Sequence, residues 1–327
     1  MTRVCIAVGR IVFAIGAFMA LAGAAGAQQA YPSKPIRFIV PFPPGGSTDP
    51  VARLIGQKLS ESWGQQVIVD NRPGGSSIIG TEAVAKSPPD GYTILLAAST
   101  HPVNALLFSN LPYDSINDFA AIATLIRTEF ALVVHPSVPA NDLQEFIALA
   151  KSRAGQLNYA TSGTGNPTHL AGELFNMMTG VKMQNVPYKG AGPAVADLLS
   201  GQVQLFFSVP ISVAPFVKNG KLKAIAITGA GRSAAMPQVP TFAEAGLAGF
   251  DLESWQGVLA PAGTPKAIID KMSAEIARIL ALTDVKEKLH AQGMEPFVSS
   301  PEQFAALIRS DMVKYGKVIK AANIKLD

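Results

Sequence analysis

The stretch IRFIVPFPPGGSTDPVAR, residues 36–53, decides how this chain is read. Its first five residues are a short, mostly β-branched apolar run, the mark of a strand buried on both faces. Residues 41–48 hold three prolines and two glycines, which neither a strand nor a helix tolerates. Asp49 has the side chain of an N-cap, and Pro50 would then fill the first helical position, where a missing N–H costs nothing. Val51, Leu54, Ile55 and Leu59 follow at helical spacing. A strand that passes through a glycine loop into a helix start sets free backbone N–H groups in a row, which is an anion site.

The same grammar recurs outward from this stretch. Strand-like runs at 67–69, 92–97, 130–134, 157–160, 203–208 and 222–228 alternate with helical patterns. The helices are expected near 78–86, from about 103, at 143–153, from the 162–167 loop to about 178, at 268–282 and at 304–321. This alternation predicts an α/β fold with largely parallel sheets. Asp49-Pro50, His101-Pro102, Asn166-Pro167 and Gly192-Pro193 each place Pro where a first helical residue belongs. Pro is a common helix start in its own right. Four such loops, three of them holding Ser or Thr, predict one shared pocket beyond the carboxyl ends of the strands.

The first 27 residues differ from the rest. Arg3 and Arg10 are their only charges, an apolar run follows, and Ala25-Gly26-Ala27 is a small-x-small cleavage signal. The segment reads as a secretory signal peptide cut between Ala27 and Gln28; the apolar run is short for a membrane anchor. The chain's one cysteine, Cys5, lies within it. An export signal on a chain with no further cysteine predicts a bacterial periplasm. Loss of Arg3 and Arg10 takes Lys+Arg from 27 to 25 against 23 Asp+Glu, so the net charge falls from +4 to +2. No basic run stands out, so nucleic acid is not an expected partner. The 327 residues, 48% hydrophobic and 15% charged, suffice for a large core and more than one domain.

Several chemistries are excluded. Gly229-Ala230-Gly231-Arg232-Ser233-Ala234 imitates a dinucleotide fingerprint, but Met236-Pro237 and Val239-Pro240 break the helix that it requires. No phosphate-binding lysine loop occurs, and Ala160 stands where a nucleophile elbow around Ser162 needs glycine. His101, His135, His169 and His290 lie far apart with no cysteine to join them, so no metal is expected. His169 falls in a first helical turn, either as a donor to an anion or as a histidine satisfied by backbone. Asp49 is a helix cap that would repel an anion unless it faces its helix or meets a ligand hydroxyl or amine. Lys189 reads as an exposed loop lysine and Trp255 as a core or interface residue. No nucleophile–base pair or paired carboxylate remains, so no catalytic residue, no cofactor and no enzyme activity are expected.

With these residues in hand, the chain resembles the substrate-binding proteins of tripartite tricarboxylate transporters, the Bug or TctC-like family. The resemblance rests on an ordered set of short pieces. Near the start these are Tyr31-Pro32-Ser33-Lys34-Pro35-Ile36, the loop at 41–46, Asn71-Arg72-Pro73-Gly74 and Asp90-Gly91-Tyr92. The middle supplies Val134-His135-Pro136, Asn158-Tyr159-Ala160, Ser162-Gly163-Thr164-Gly165, His169-Leu170-Ala171-Gly172-Glu173 and Val186-Pro187-Tyr188-Lys189-Gly190. Residues 237–241, 244–246 and 260–265 complete it.

The resemblance implies a two-lobed periplasmic binding protein, type II-like, with two crossing strands and a cleft between lobes. The crossing strands would be 130–134 and 222–228. Lobe 1 would be discontinuous, residues 28–130 and 229–327, and lobe 2 would be 131–228. The implied ligand-binding residues are Phe42, Pro43, Gly46, Ser47, Thr48 and Asp49 in the first loop, and Thr100 and His101 in another. Ser162, Thr164, Asn166 and His169 would face them from lobe 2, with Tyr188, Gly190 and Ser208. Asn166-Pro167-Thr168 departs from the family's Ser- and Thr-rich pattern, which moves one carboxylate contact to Asn166 or removes it. The implied function is capture of a small organic acid by lobe closure, in a monomer that delivers it to membrane permease subunits. A dicarboxylate, a tricarboxylate, an acidic amino acid and an aromatic acid all remain open. The alternatives are a periplasmic α/β hydrolase or isomerase, and a sensor subunit for a signalling partner.

Overall fold

The computed structural model describes residues 31–45 and 47–325, so the expected signal peptide and Gly46 lie outside the described residues. From Pro35 onward the chain forms one compact unit. It contains two mixed sheets. The first is six-stranded, in the order β11 (Glu295–Pro296), β4 (Phe119–Thr128), β10 (Ser254–Pro261), β3 (Thr93–Ala98), β1 (Ile36–Val40), β2 (Val67–Asn71). The second is five-stranded, in the order β7 (Gln184–Pro187), β6 (Asn158–Thr161), β8 (Leu205–Ser208), β5 (Ala131–Val134), β9 (Lys223–Ile227).

The opening run behaves as its composition dictates. Ile36, Phe38, Ile39 and Val40 are buried, and β1 pairs in parallel with β2 on one side and β3 on the other. The expectation of largely parallel sheets holds only in part. β10 and β11 run antiparallel within the first sheet, and β5 runs antiparallel to both of its neighbours in the second.

The helices are α1 (Thr48–Trp63), α2 (Ile78–Ala85), α3 (Thr100–Leu107), α4 (Leu143–Ser152), α5 (Pro167–Thr179), α6 (Ala191–Ser200) and α7 (Pro210–Lys218). After β10 come α8 (Lys266–Ala281), α9 (Thr283–His290) and α10 (Pro301–Ala322). Of the four expected Pro starts, only Asn166-Pro167 is placed as read: Asn166 caps α5 and its side chain accepts from the His169 N–H. The caps of α1, α3 and α6 are Ser47, Ser99 and Gly190, so Pro50, Pro102 and Pro193 sit third in their helices. The first turn has no intrahelical acceptor for its N–H groups, so Pro is tolerated throughout it and marks a helix start only to within a turn. Asp49 is accordingly a first-turn residue of α1, not its cap.

The chain passes between the sheets at two places. β4 leads through Glu129 and Phe130 into β5. Thr228, just past the end of β9, is tied to this crossing: its N–H donates to the Phe130 carbonyl at 2.7 Å, and the Phe130 N–H donates to Thr228 Oγ1 at 2.8 Å. Residues 251–253 lead back into β10. The return to the first sheet thus comes later than residue 229. Met236 and Val239 pack with Val213, Leu222 and Ile227 on the second sheet. Phe242 lies 4.2 Å from Phe250 and 6.3 Å from Phe207, ring centre to ring centre. The polar, proline-broken segment after 229 hides these buried rings from any periodicity.

Among the described residues no helix is long and apolar enough to cross a membrane. Trp255 is a core residue: its indole N–H donates to Asp311 at 2.7 Å and its ring meets Phe304 edge-on at 5.1 Å. Tyr315, Val318 and Ile319 of α10 share a buried cluster with Leu132 and Phe207 of the second sheet, so one helix packs against both halves of the fold.

Candidate functional site

Two cavities of about 290 Å³ each lie where the strand ends, the crossings and the helix starts meet. Both take walls from elements of both sheets. Among the described residues that line them, none carries a formal charge.

The loop between β1 and α1 is held from behind. Asp49 Oδ2 accepts from the Gly45 N–H at 3.3 Å and from Arg53 Nε at 3.0 Å, while Oδ1 accepts from Asn71 Nδ2 at 3.0 Å. Asn71 Nδ2 also donates to the Phe42 carbonyl at 3.2 Å. Burial pushes the Asp49 carboxyl up, but the bonds from Arg53, Asn71 and Gly45 outweigh it and leave the group below its ordinary value. Asp49 therefore stays ionised and is consumed by its own loop. Neither Asp49 nor the buried Thr48 lines a cavity. What the loop offers is Ser47 to the first cavity and Phe42 and Pro43 to the second.

The loop between β6 and α5 is tied the same way. Asn166 Oδ1 accepts from Thr168 Oγ1 at 2.8 Å and from the His169 N–H at 3.1 Å, and Asn166 Nδ2 donates to Ser162 Oγ at 2.8 Å. The Gly165 N–H donates to His169 Nδ1 at 3.0 Å. An accepting Nδ1 carries no proton, so the ring is neutral with its proton on Nε2. Burial lowers the His169 pKa, and Glu173, 3.9 Å away, opposes the shift. His169 is thus the histidine satisfied by backbone, and it positions the loop from behind. Ser162 and Thr168 line the first cavity, and Thr164, Gly165 and Asn166 line the second.

Three further expected contacts, Tyr188, Gly190 and His101, lie away from both cavities. The Tyr188 hydroxyl donates to Asp197 at 2.7 Å; burial and that carboxylate push the phenol up to about 12. Tyr188 and Gly190 line neither cavity, although Ala191, the first residue of α6, lines the first. Thr100 lines the second cavity, but the neighbouring His101 is buried and donates from Nε2 to the Ser115 carbonyl at 2.8 Å. One residue along a helix turns a side chain from the cavity to the core.

Sequence reasoning found Ser208 on the first cavity and missed much of the remaining wall. β10 supplies Ser254 and Gln256, and the crossings supply Thr128 and Phe130. Ser254 and Gln256 are two apart on a strand and face the cavity, while Trp255 between them faces the core. That alternation is a readable signal once the segment is known to be a strand. Two side-chain oxygens at this wall, Ser208 Oγ and Gln256 Oε1, are buried without a hydrogen-bond partner. Among the described residues no group of His, Cys, Asp or Glu is placed to hold a metal ion.

The sequence profile described as "Tripartite tricarboxylate transporter family receptor" matches residues 51–324. The chain belongs to this family. Protein BugT of Bordetella pertussis is 39% identical to it over 97% of this chain and 98% of its own length. Among solved structures, MatC of Rhodopseudomonas palustris with bound malate is 32% identical, with a TM-score of 0.71, covering 88% of this chain and 100% of that one. A second R. palustris protein, with adipate, is 35% identical at a TM-score of 0.75, covering 90% and 99%. The α/β fold is that of a periplasmic binding protein, and the family is one of receptors.

Proposed function

We propose that this receptor captures a small organic dicarboxylate in the first cavity and closes on it. One observation carries the reading: the starts of three helices, α1 at Ser47, α5 at Pro167 and Thr168, and α6 at Ala191, converge on a cavity lined by no charged side chain. Each helix start favours an anion by about 0.3–1 kcal/mol, more when partly buried, so three together hold a carboxylate without an arginine. The malate and adipate carried by its relatives point to the same ligand class.

The ligand would touch walls from both sheets, so binding and closure share one free energy. The two crossings, near Glu129 and at residues 251–253, with Thr228 bonded beside the first, would form the hinge, and residues up to Phe250 would move with the second sheet. The family supports delivery of the closed form to membrane permease subunits, residues 1–27 support export to the periplasm, and the receptor would act there as a monomer. The remaining expected contacts, Phe42, Pro43, Thr100, Thr164 and Asn166, would line the entrance through the second cavity; Gly46 belongs to the same loop.

Thermal unfolding and calorimetry of the chain without its first 27 residues, against a panel of C4 to C6 mono- and dicarboxylates, test the reading. A true ligand at about 100 times its Kd adds ~2.7 kcal/mol. Its affinity should change little between low and high salt, because no ion pair forms. If no carboxylate shifts the midpoint, or if binding weakens steeply with salt, the reading is wrong.

A further inference from the structure

We propose that Gln256 makes this receptor selective for a hydroxy-substituted acid over the unsubstituted acid of the same length. The inference rests on the carboxylate reading above and names the ligand class more narrowly.

The Gln256 side chain is buried, 6% exposed, and lines the first cavity. Its two ends are not equivalent. Nε2 makes a long bond of 3.5 Å to the Ser47 carbonyl. A carbonyl can only accept, so turning the amide over would set oxygen against oxygen. That contact favours the orientation in which Oε1 is the end without a partner, and no protein donor reaches it. An unsatisfied buried acceptor is costly, and the natural remedy here is a donor carried by the ligand. A carboxylate has no proton to give. The donor must be a substituent on its carbon chain.

The cavity decides which substituent. A hydroxyl is neutral and pairs with an amide oxygen without further help. An ammonium would be buried with no carboxylate on the wall to face it, since none of the lining residues is acidic. The charge-free wall thus favours a hydroxyl over an amine. Ser208 Oγ, buried and also unpartnered, faces the cavity from the second sheet and can donate to a carboxylate oxygen. An acid held by both would reach from β10 to β8, across the join between the sheets. Asp49, the residue that sequence alone marked for reading a hydroxyl or an amine, is already committed to Gly45, Arg53 and Asn71.

The test is calorimetric titration of wild type and Gln256→Met with two matched sets, each a parent acid with its 2-hydroxy and 2-amino derivatives: succinate, malate and aspartate, and glutarate, 2-hydroxyglutarate and glutamate. In the wild type the hydroxy acid of the best-fitting length should bind at least about tenfold more tightly than its parent, the size expected when one buried polar group is left unpaired. In Gln256→Met, shown folded by its circular dichroism, that ratio should fall toward one. Equal wild-type affinity for a hydroxy acid and its parent overturns the proposal, as does tighter binding of the amino acid of the same length, or a ratio that the substitution leaves intact. Each of those outcomes leaves the carboxylate reading standing. Failure of every acid to bind sinks both together. The wild-type comparison stands by itself should the variant not fold.

Discussion

His101 provides a sharp test of how side chains are divided between cavity and core. Its ring is 3% exposed, stacked on Tyr113 at 6.2 Å and edge-on to Phe119 at 5.0 Å, with Nε2 bonded to the Ser115 carbonyl. Burial brings its pKa down to about 4, against the opposing pull of that carbonyl. The unfolded chain returns it to about 6.5. Between these values the unfolded state binds a proton that the folded state refuses. The stability tied to this group is therefore complete above pH 6.5 and is lost as pH falls toward 4. A gap of about 2.5 units at 1.36 kcal/mol per unit amounts to roughly 3 kcal/mol, a large share of a typical 5–15 kcal/mol.

The perturbation is His101→Gln, which keeps an N–H for Ser115 and cannot titrate. Urea unfolding at several pH values from 7 to 4 should show the variant weaker at pH 7, because it loses ring packing, yet less sensitive to acid. Buried His169, with its lowered pKa, and the raised carboxyls Glu129 and Glu253 are common to both proteins, so the difference between the two curves isolates His101. Parallel curves would refute the assignment, as would a His101 ring that titrates near 6.5 by NMR.

The crossings carry a second pH effect of opposite sign. Burial raises both Glu129 and Glu253, which face each other over Gly229: a Cβ there would lie 2.9 Å from Glu253 Oε1 and 3.5 Å from Glu129 Oε2. Arg127 and Lys314 offset part of the rise, while Asp251 and Glu295 add to it. A raised carboxyl favours the folded state while protonated, so stability drops as pH climbs from the ordinary carboxylate value through the raised one. Glu129→Gln should remove part of that drop and unfold at higher urea than wild type at pH 7.5; an unchanged or lower midpoint counts against it. In α5, Gly172→Ala should destabilise by about 1–3 kcal/mol or more, although Ala in a helix interior is ordinarily worth about 1 kcal/mol over Gly. The reason is that a Cβ at 172 would sit 2.2 Å from Tyr159 Cε2, inside a fully buried ring. A stabilised variant would show that α5 and β6 are not packed as described.

How much was legible follows from what each strand must do. β5 is apolar from end to end because both faces are covered, β1 breaks its apolar run only at exposed Arg37 and β8 only at Ser208, and a run such as Ala131–Val134 announces itself. β4 and β10 are as central as these and were not legible. Their sequences, FAAIATLIRT and SWQGVLAP, mix alanine, glycine and polar residues. In β10 the cause is visible. Gly257 is small because a Cβ there would meet Phe304 at 2.4 Å, and Ser254 and Gln256 are polar because they face the cavity. The close approach of a helix and the wall of a site each replace an apolar residue, and together they erase the strand signature.

The loops show the complementary failure. Small-residue loops before helices pointed to the right region, yet within them the side chains with the most chemistry turned out to be internal. Asp49, His169 and Asn166 each spend their hydrogen bonds holding the loop that contains them. A loop rich in Gly and Pro has little secondary structure to satisfy its backbone, so its strongest polar side chains are recruited for that task first. The groups left to face a ligand are then backbone N–H groups and neutral side chains such as Ser208 and Gln256, which carry no charge pattern along the chain. A site that recognises an anion through such groups is marked in sequence by its scaffold, while its selectivity sits in single polar residues on strands, where a sequence offers nothing to separate them from an exposed position.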